Sequence, residues 1–385
     1  MSALRLRRLL LLLPGVQPGG TERHGMDLAG RLAARGLAVT LAGEAGMLAG
    51  LPAAPGVTPL PAPIGWDEAA PVPANIARQA EALPALLAQT APDAVLLSLP
   101  WPNAGLGLQQ ALAATRLPRL VLFHLAASGE APPGLSEARG QIGLDASLLA
   151  AVSAPVAGRV AGFLGCDPGR ISLLHNPAPP TLRQDRASAR RAIRQRLGLP
   201  DSAPVLLFLG RLEDAKGADL LPAIGDRLNA TLAIGGEGSL RGMLEARALA
   251  DPRGLFRVLG RLDDPQMWLA GADALLLPSR LEGAPLVFLE AAAQRCPVIA
   301  SAAALEALGP AAARMARLVH APEPAGFAAA AQALLAAPAA ARPLLDRAER
   351  HARSRTPEAV LTNTLFLLRA AMLRASLASP QETIA

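Results

Sequence analysis

The sequence predicts an α/β protein built from two doubly wound parallel sheets, one in each half of the chain. Three observations predict it. Short apolar runs of strand length alternate with longer helical patterns from end to end. The 385 residues exceed what one ordinary hydrophobic core holds. A proline-rich break at residues 176–186, with Pro177, Pro179 and Pro180, divides the alternation into two series. The expected units are residues 1–178, residues 179–355 and a last apolar helix in 356–385 that returns toward the N-terminal unit.

In the first series, residues 7–13, 38–42, 94–99, 119–125 and 171–174 read as buried strands. Alanine-rich helical patterns at 21–35 and 76–89 lie between them. Arg5, Arg7 and Arg8 before the leucine run 9–13 imitate a secretory leader. The run is short and no small-residue cleavage site follows, so it reads as the first strand. In the second series, strands are expected at 205–209, 231–234, 255–259, 274–277, 297–300 and 316–319, with helices at 218–228, 240–249, 285–294 and 324–335. No run of about 18 apolar residues is free of charge or Pro/Gly breaks, so no membrane span is expected.

Composition excludes more than it assigns. Half the residues are hydrophobic (51%) and 18% are charged, which argues against bulk disorder. Two distant cysteines, Cys166 and Cys296, form no metal motif or disulfide framework and fit a reducing cytoplasm. The net charge is +6, but aromatic residues are only 3%, too few for base stacking, so no nucleic-acid partner is expected. The charge leaves room for a peripheral contact with an anionic membrane. The segment 183–196 holds six arginines and reads first as a solvated helix face, with contact to a membrane or anionic acceptor as the alternative. Of 37 basic residues, Lys216 is the single lysine.

That lysine stands in the first of three motifs. Strand 205–209 runs into Gly210-Arg211 and on to Lys216-Gly217 before a helix. Two cations at a strand end, beside a helix N-terminus, make a site for phosphate oxygens. The bland alternative, two surface cations, would prevail for a lone pair at this spacing; the avoidance of lysine elsewhere tips the balance. The second motif, Ile234-Gly235-Gly236-Glu237-Gly238, is a strand-to-glycine turn without dinucleotide spacing. In the third, Glu282 sits in the loop after strand 274–277 and Glu290 on the apolar helix that follows. A carboxylate on such a helix needs a partner, either ligand hydroxyls or a cation such as Arg295.

In their order and spacing, Gly210-Arg211, Lys216-Gly217, Gly235-Gly236-Glu237-Gly238, Val258-Leu259-Gly260, Ala272-Asp273, Leu277-Pro278-Ser279, Glu282-Gly283, Glu290-Ala291 and Pro297-Val298-Ile299-Ala300 closely resemble the C-terminal domain of the GT-B retaining glycosyltransferases of family 4. The first half resembles the family more loosely, through Gly19-Gly20-Thr21-Glu22-Arg23, Leu122-Phe123-His124, Val152-Ser153 and residues 171–176. The resemblance implies two Rossmann-like domains facing across a cleft. It implies that Arg211 and Lys216 neutralise a donor diphosphate, that Glu290 bonds the nucleotide ribose and that Glu282 lies near the diphosphate and sugar. It further implies that the backbone at Gly260 and Arg261 meets the base, that Gly19 and Gly20 admit the sugar-phosphate, and that His124 bonds the transferred sugar. His24, His175, His320 and His351 read as ordinary surface or core histidines. After Ala300 the family's glycine-and-acid segment is replaced by Ser301-Ala302-Ala303-Ala304-Leu305-Glu306-Ala307.

The activity expected is transfer of a hexose-type sugar from a nucleotide-diphosphate sugar to a glycan or lipid-linked acceptor in cell-surface polysaccharide synthesis, in the cytoplasm or on the inner membrane face. No cofactor is expected, and no Asp-x-Asp pattern offers a metal clamp. A nicotinamide oxidoreductase is disfavoured by the missing dinucleotide fingerprint. A pyridoxal phosphorylase would need its Schiff-base lysine outside the motif that holds Lys216. A degenerate nucleotide-sugar-binding protein or partner subunit remains the alternative, supported by the altered segment after Ala300.

Overall fold

Residues 9–13 are five consecutive leucines with at most 1% of their surface exposed, as a strand covered on both faces requires. The computed structural model describes residues 5–179 and 184–377, so Pro180 and Arg183 of the expected linker and helix lie outside the described residues. The chain divides into two compact units, residues 1–176 with 358–385, and residues 177–357.

The first unit runs β1 (Arg8–Leu13), α1 (Gly20–Ala34), β2 (Ala38–Gly43), α2 (Ala45–Ala49), β3 (Val57–Pro61), α3 (Val72–Thr90), β4 (Ala94–Leu99), α4 (Leu106–Ala113), β5 (Arg119–Phe123), α5 (Leu135–Ala138), β6 (Ser147–Ala151), α6 (Ala154–Leu164) and β7 (Ile171–Leu173). Its seven strands pair in the order β3-β2-β1-β4-β5-β6-β7, with every pairing parallel. The order reverses between β1 and β4, the switch point at which doubly wound sheets bind ligands beyond their strand C-termini. Two strands, β3 and β6, are not among those the apolar runs predict. β3 is an edge strand carrying Pro59 and Pro61, tolerable only where one side needs no ladder bonds. β6 is short and lacks β-branched residues, and its alanines and leucines serve a helix equally well.

The second unit runs α7 (Arg186–Leu197), β8 (Val205–Leu209), α8 (Leu221–Gly225), β9 (Thr231–Gly235), α9 (Arg241–Leu249), β10 (Phe256–Gly260), α10 (Pro265–Gly271), β11 (Ala274–Leu277), α11 (Leu286–Ala293), β12 (Val298–Ser301), β13 (Arg317–Val319), α12 (Pro324–Ala336) and α13 (Arg342–Arg353). All six strands lie where the apolar runs predict them, in the parallel order β10-β9-β8-β11-β12-β13. The reversal here falls between β8 and β11. Its core has two layers, one on each face of the sheet, with Trp268, Phe288 and Leu305 on one and Phe208, Phe256 and Phe327 on the other. The helix expected at 218–228 is shorter: a 3₁₀ turn at Ala218–Leu220 leads into α8.

Helix α7 keeps Arg191 and Arg196 exposed, as expected of a solvated face, but turns its Arg186, Arg190 and Arg194 side inward against that expectation. Arg194 is fully buried, and its Nη2 donates to Asp273 Oδ2 at 2.7 Å. Its Nε and Nη1 donate to the carbonyls of Ala203 and Gly271. Burial pulls this guanidinium's pKa down, and Asp273 opposes the shift. Arg190 also pairs with Asp273, and Arg186 donates to the carbonyls of Ala270, Ala272 and Arg295. Arginine at every fourth residue has built an anchor to the sheet.

The last helix, α14 (Pro357–Leu377), belongs to the first unit, where Leu361, Leu367, Leu368, Ala371 and Met372 are buried and Arg374 donates to the Ser147 carbonyl. Its length and hydropathy would allow a membrane span. The buried stripe and the protein-bound arginine are those of a helix packed on a protein core.

Candidate active site

In the second unit, the loops after β8, β9, β11 and β12 are stitched together at the C-terminal edge of the sheet. The β8 loop is laced to the β9 turn by Gly210 N to Gly235 O at 3.1 Å, Leu212 N to Glu237 O at 2.8 Å and Leu240 N to Leu212 O at 3.0 Å. This closeness demands glycine. A Cβ on Gly236, at φ +146°, would stand 1.8 Å from the Gly210 carbonyl oxygen. Glu213 locks the same junction by accepting from the amide and hydroxyl of Ser239 at 2.9 and 2.6 Å. Partial burial would raise its carboxyl, but the Ser239 bonds, with Arg211 nearby, outweigh that and lower it.

The β8 loop is held equally firmly to the β11 loop. Gly217 turns at φ +69° with its α-carbon against Pro278, where a Cβ would lie 2.3 Å from the carbonyl oxygen. Arg280 donates its amide to Ala215 O at 2.9 Å and grips Asp219 through both terminal nitrogens at 2.6 and 2.7 Å. Ser301, at the end of β12, donates its hydroxyl to the Ser279 carbonyl. Ser279 in turn donates to Glu282 Oε1 at 2.9 Å.

This scaffold brings the predicted cation and carboxylate together. Lys216 Nζ lies 2.6 Å from Glu282 Oε1, with side chains 21% and 10% exposed. Arg211 is exposed at the same strand end and makes no hydrogen bond or ion pair with a described residue. The edge therefore offers one exposed guanidinium with Glu213 nearby, one ammonium held by a carboxylate, and glycine turns that allow close backbone approach. Such a constellation grips an anion with several oxygens. Glu290 is half-buried on α11, and the cation five residues on, Arg295, pairs with Asp346 and Glu349 of α13. Gly260 closes β10 at φ +66°, and the Arg261 amide donates to Glu237 Oε1 at 3.2 Å while its side chain is exposed. Sequence reasoning assigns no role to Ser279, Arg280, Ser239 or Glu213; no local pattern shows that these residues join separate loops.

The first unit has a second cluster at its own switch point. Gly19 caps α1 and Gly20 is its first residue. The Gly19 amide donates to Glu22 Oε2 at 2.9 Å, so a buried carboxylate folds under the glycine loop. His124 follows β5, with its amide donating to Leu99 O and its Nε2 2.9 Å from Ser98 Oγ. His24, on α1, stands edge-on to it with ring centroids 5.3 Å apart at 65°. The two residues are 4% and 8% exposed. Burial lowers the His24 pKa to about 4 against the opposing pull of Asp27, and burial with His24 alongside holds His124 well below its ordinary value. Both imidazoles are neutral at pH 7. His24 thus keeps the company of a predicted site residue, which sequence spacing could not show.

Comparison with known proteins agrees with both halves. Residues 18–182 match the family model described as Glycosyltransferase Family 4, and residues 203–337 that described as Glycosyl transferases group 1. D-inositol 3-phosphate glycosyltransferase 2 of Catenulispora acidiphila is 33% identical over 199 residues, 45% of this chain and 44% of its own. The Streptomyces coelicolor D-inositol 3-phosphate glycosyltransferase is 28% identical over 267 residues, 59% and 56% of the two chains. The chain thus spans about half the length of these relatives. Among solved structures, Anabaena HepE in complex with UDP-glucose superposes with a TM-score of 0.76 at 18% identity, covering 94% of this chain and 99% of that one. A glycosyltransferase from Rickettsia africae ESF-5 gives 0.75 at 15% identity, covering 96% and 99%. The chain belongs to the family 4, group 1 glycosyltransferases of the GT-B fold.

Proposed function

We propose that the protein transfers a hexose-type sugar from a nucleotide-diphosphate donor to a glycan or lipid-linked acceptor, with retention of configuration, in cell-surface polysaccharide synthesis. It would act in the cytoplasm or peripherally on the inner membrane face. The observation that carries the reading is the Lys216–Glu282 pair at 2.6 Å beside exposed Arg211, at the switch point of the second sheet. The complexes of HepE with UDP and UDP-glucose support a uridine nucleotide as the first donor to test.

Arg211 and Lys216 stabilise charge that builds on the diphosphate as the bond from the anomeric carbon to the leaving oxygen breaks and the acceptor hydroxyl oxygen bonds to that carbon, its proton passing to the departing diphosphate. Glu282 holds Lys216 until the diphosphate competes for it, and then positions the ammonium and the sugar. His124, neutral, suits a sugar hydroxyl better than a phosphate. Glu290 takes the ribose hydroxyls, the Gly260–Arg261 backbone meets the base, and the Gly19–Gly20 loop admits the sugar-phosphate.

A thermal-shift screen with UDP, GDP, ADP and TDP and their sugars tests the donor class. A ligand at a hundredfold over its dissociation constant adds about 2.7 kcal/mol of stability. No shift with any of them removes the reading. Lys216→Ala is expected to cut turnover by about 10²-fold or more with the fold intact; near-normal turnover would refute the lysine's role.

One observation favours a non-catalytic binding protein instead. After β12, the Ala302 amide is taken by Val319 O and the Ala304 amide by Ser301 Oγ, each at 3.0 Å, so these backbone donors are already committed. Purified protein that binds a nucleotide-sugar but neither hydrolyses nor transfers it would establish that reading.

A further inference from the structure

We propose that Ser98 and His24 are positioning residues for His124, holding its ring in one orientation so that its Nδ1 is the atom offered to a sugar hydroxyl. The proposal rests on the reading of His124 as a donor-sugar contact. Three strand ends converge to build the arrangement. β1 leads through the glycine loop into α1, which carries His24; β4 carries Ser98; β5 ends one residue before His124. β1 and β4 are neighbours at the topological switch of the first sheet, where ligands of doubly wound folds lie.

Ser98 and His124 share one hydrogen bond, at Nε2. A serine hydroxyl both donates and accepts. If Ser98 donates, the His124 proton sits on Nδ1 and that atom donates to the ligand; if Ser98 accepts, Nδ1 accepts from it. Either way Nε2 is committed and Nδ1 is the available nitrogen. A sugar alcohol likewise donates and accepts, so it matches either tautomer, and a neutral ring lacks the charge that would favour phosphate.

His24 supplies the wall. Its ring lies edge-on to His124, and neither of its nitrogens finds a hydrogen-bond partner among the described residues. A buried imidazole without partners stabilises nothing through its polar atoms; its contribution here is the aromatic contact that restricts the His124 ring. Burial keeps both rings uncharged, so neither repels the other.

The test uses full-length protein labelled with ¹⁵N at histidine, together with steady-state kinetics. In wild type the His124 ring nitrogens should show one dominant neutral tautomer, and Ser98→Ala should shift that ratio. Ser98→Ala should lower kcat about tenfold with little change in donor KM, as expected for one lost orienting hydrogen bond. Ser98→Thr should restore both the tautomer and kcat to within about threefold. His24→Ala should disorder the His124 signals and lower kcat comparably, and His24→Phe should restore the signals. Unchanged His124 signals in Ser98→Ala, or in His24→Ala, overturn the role of the residue concerned. So does an unrescued loss in Ser98→Thr or His24→Phe. The underlying reading fails separately: donor turnover unaffected by His124→Ala would remove the sugar contact, while the ring signals still decide the positioning.

Discussion

Acid should destabilise the first unit through His24, and His24→Phe should abolish much of the effect. The ordinary pKa of 6.5 falls to about 4 in the folded protein because burial excludes the charged form, with Asp27 on the same helix pulling the other way and the His124 ring facing it. Between these two pH values the unfolded chain binds a proton at His24 that the folded chain does not. Stability therefore falls as pH drops from 6.5 toward 4 and levels off below. A tenfold change in proton affinity on folding corresponds to about 1.4 kcal/mol, so His24 should contribute about 3 kcal/mol to the acid loss. Phenylalanine keeps an aromatic ring at the site and removes the titration. The assay is urea unfolding at pH 7.5 and pH 4.0 for both proteins, followed by the fluorescence of Trp66 and Trp101 in the first unit. Comparing the proteins cancels the carboxylates common to both. Wild type should lose about 3 kcal/mol more than His24→Phe over this interval. Equal pH dependence in the two would refute the claim that folding keeps this imidazole neutral.

Glu282→Gln should tighten binding of a nucleoside diphosphate about two- to fivefold, because a partly exposed ion pair of about 1 kcal/mol no longer competes for Lys216; weaker binding by calorimetry would contradict that competition. The same variant should turn over more slowly if Glu282 positions the sugar. Asp273→Ala leaves fully buried Arg194 without its carboxylate and should cost about 3 kcal/mol or more in urea unfolding; a loss below about 1 kcal/mol would mean that carbonyls alone suffice. Gly236→Ala forces a Cβ into the Gly210 carbonyl and should cost about 2 kcal/mol or more, with loss of nucleotide binding; a variant as stable as wild type would show that the turn relaxes freely.

Legibility in the sequence differs between the two units for a physical reason. The second unit is written as apolar runs, four of which, β8 to β11, end in glycine or proline, and both signals are local. All six of its strands and the Lys216 and Glu282 loops can therefore be located from spacing. The first unit hides two strands, because proline on β3 and alanine-leucine composition in β6 carry no strand pattern. The arginines of α7 mislead for a related reason. Periodicity shows that Arg186, Arg190 and Arg194 share a helix face, but charge alone suggests that the face meets water. Only the carboxylate of Asp273 and the open carbonyls of the neighbouring turn make it an inward face.

The sequence by itself determined the α/β alternation, the proline break, the motif order and the solitary lysine beside a strand end. Those properties depend on what each segment buries and how it turns. The tertiary structure alone decided that Lys216 meets Glu282, that Ser279 steadies that carboxylate, and that His24, Ser98 and His124 stand together. Most of these meetings join loops or strands far apart in the chain. Which strand ends are neighbours follows from the pairing order of the sheet, and that order minimises exposed apolar surface over the whole unit, a quantity no single segment carries.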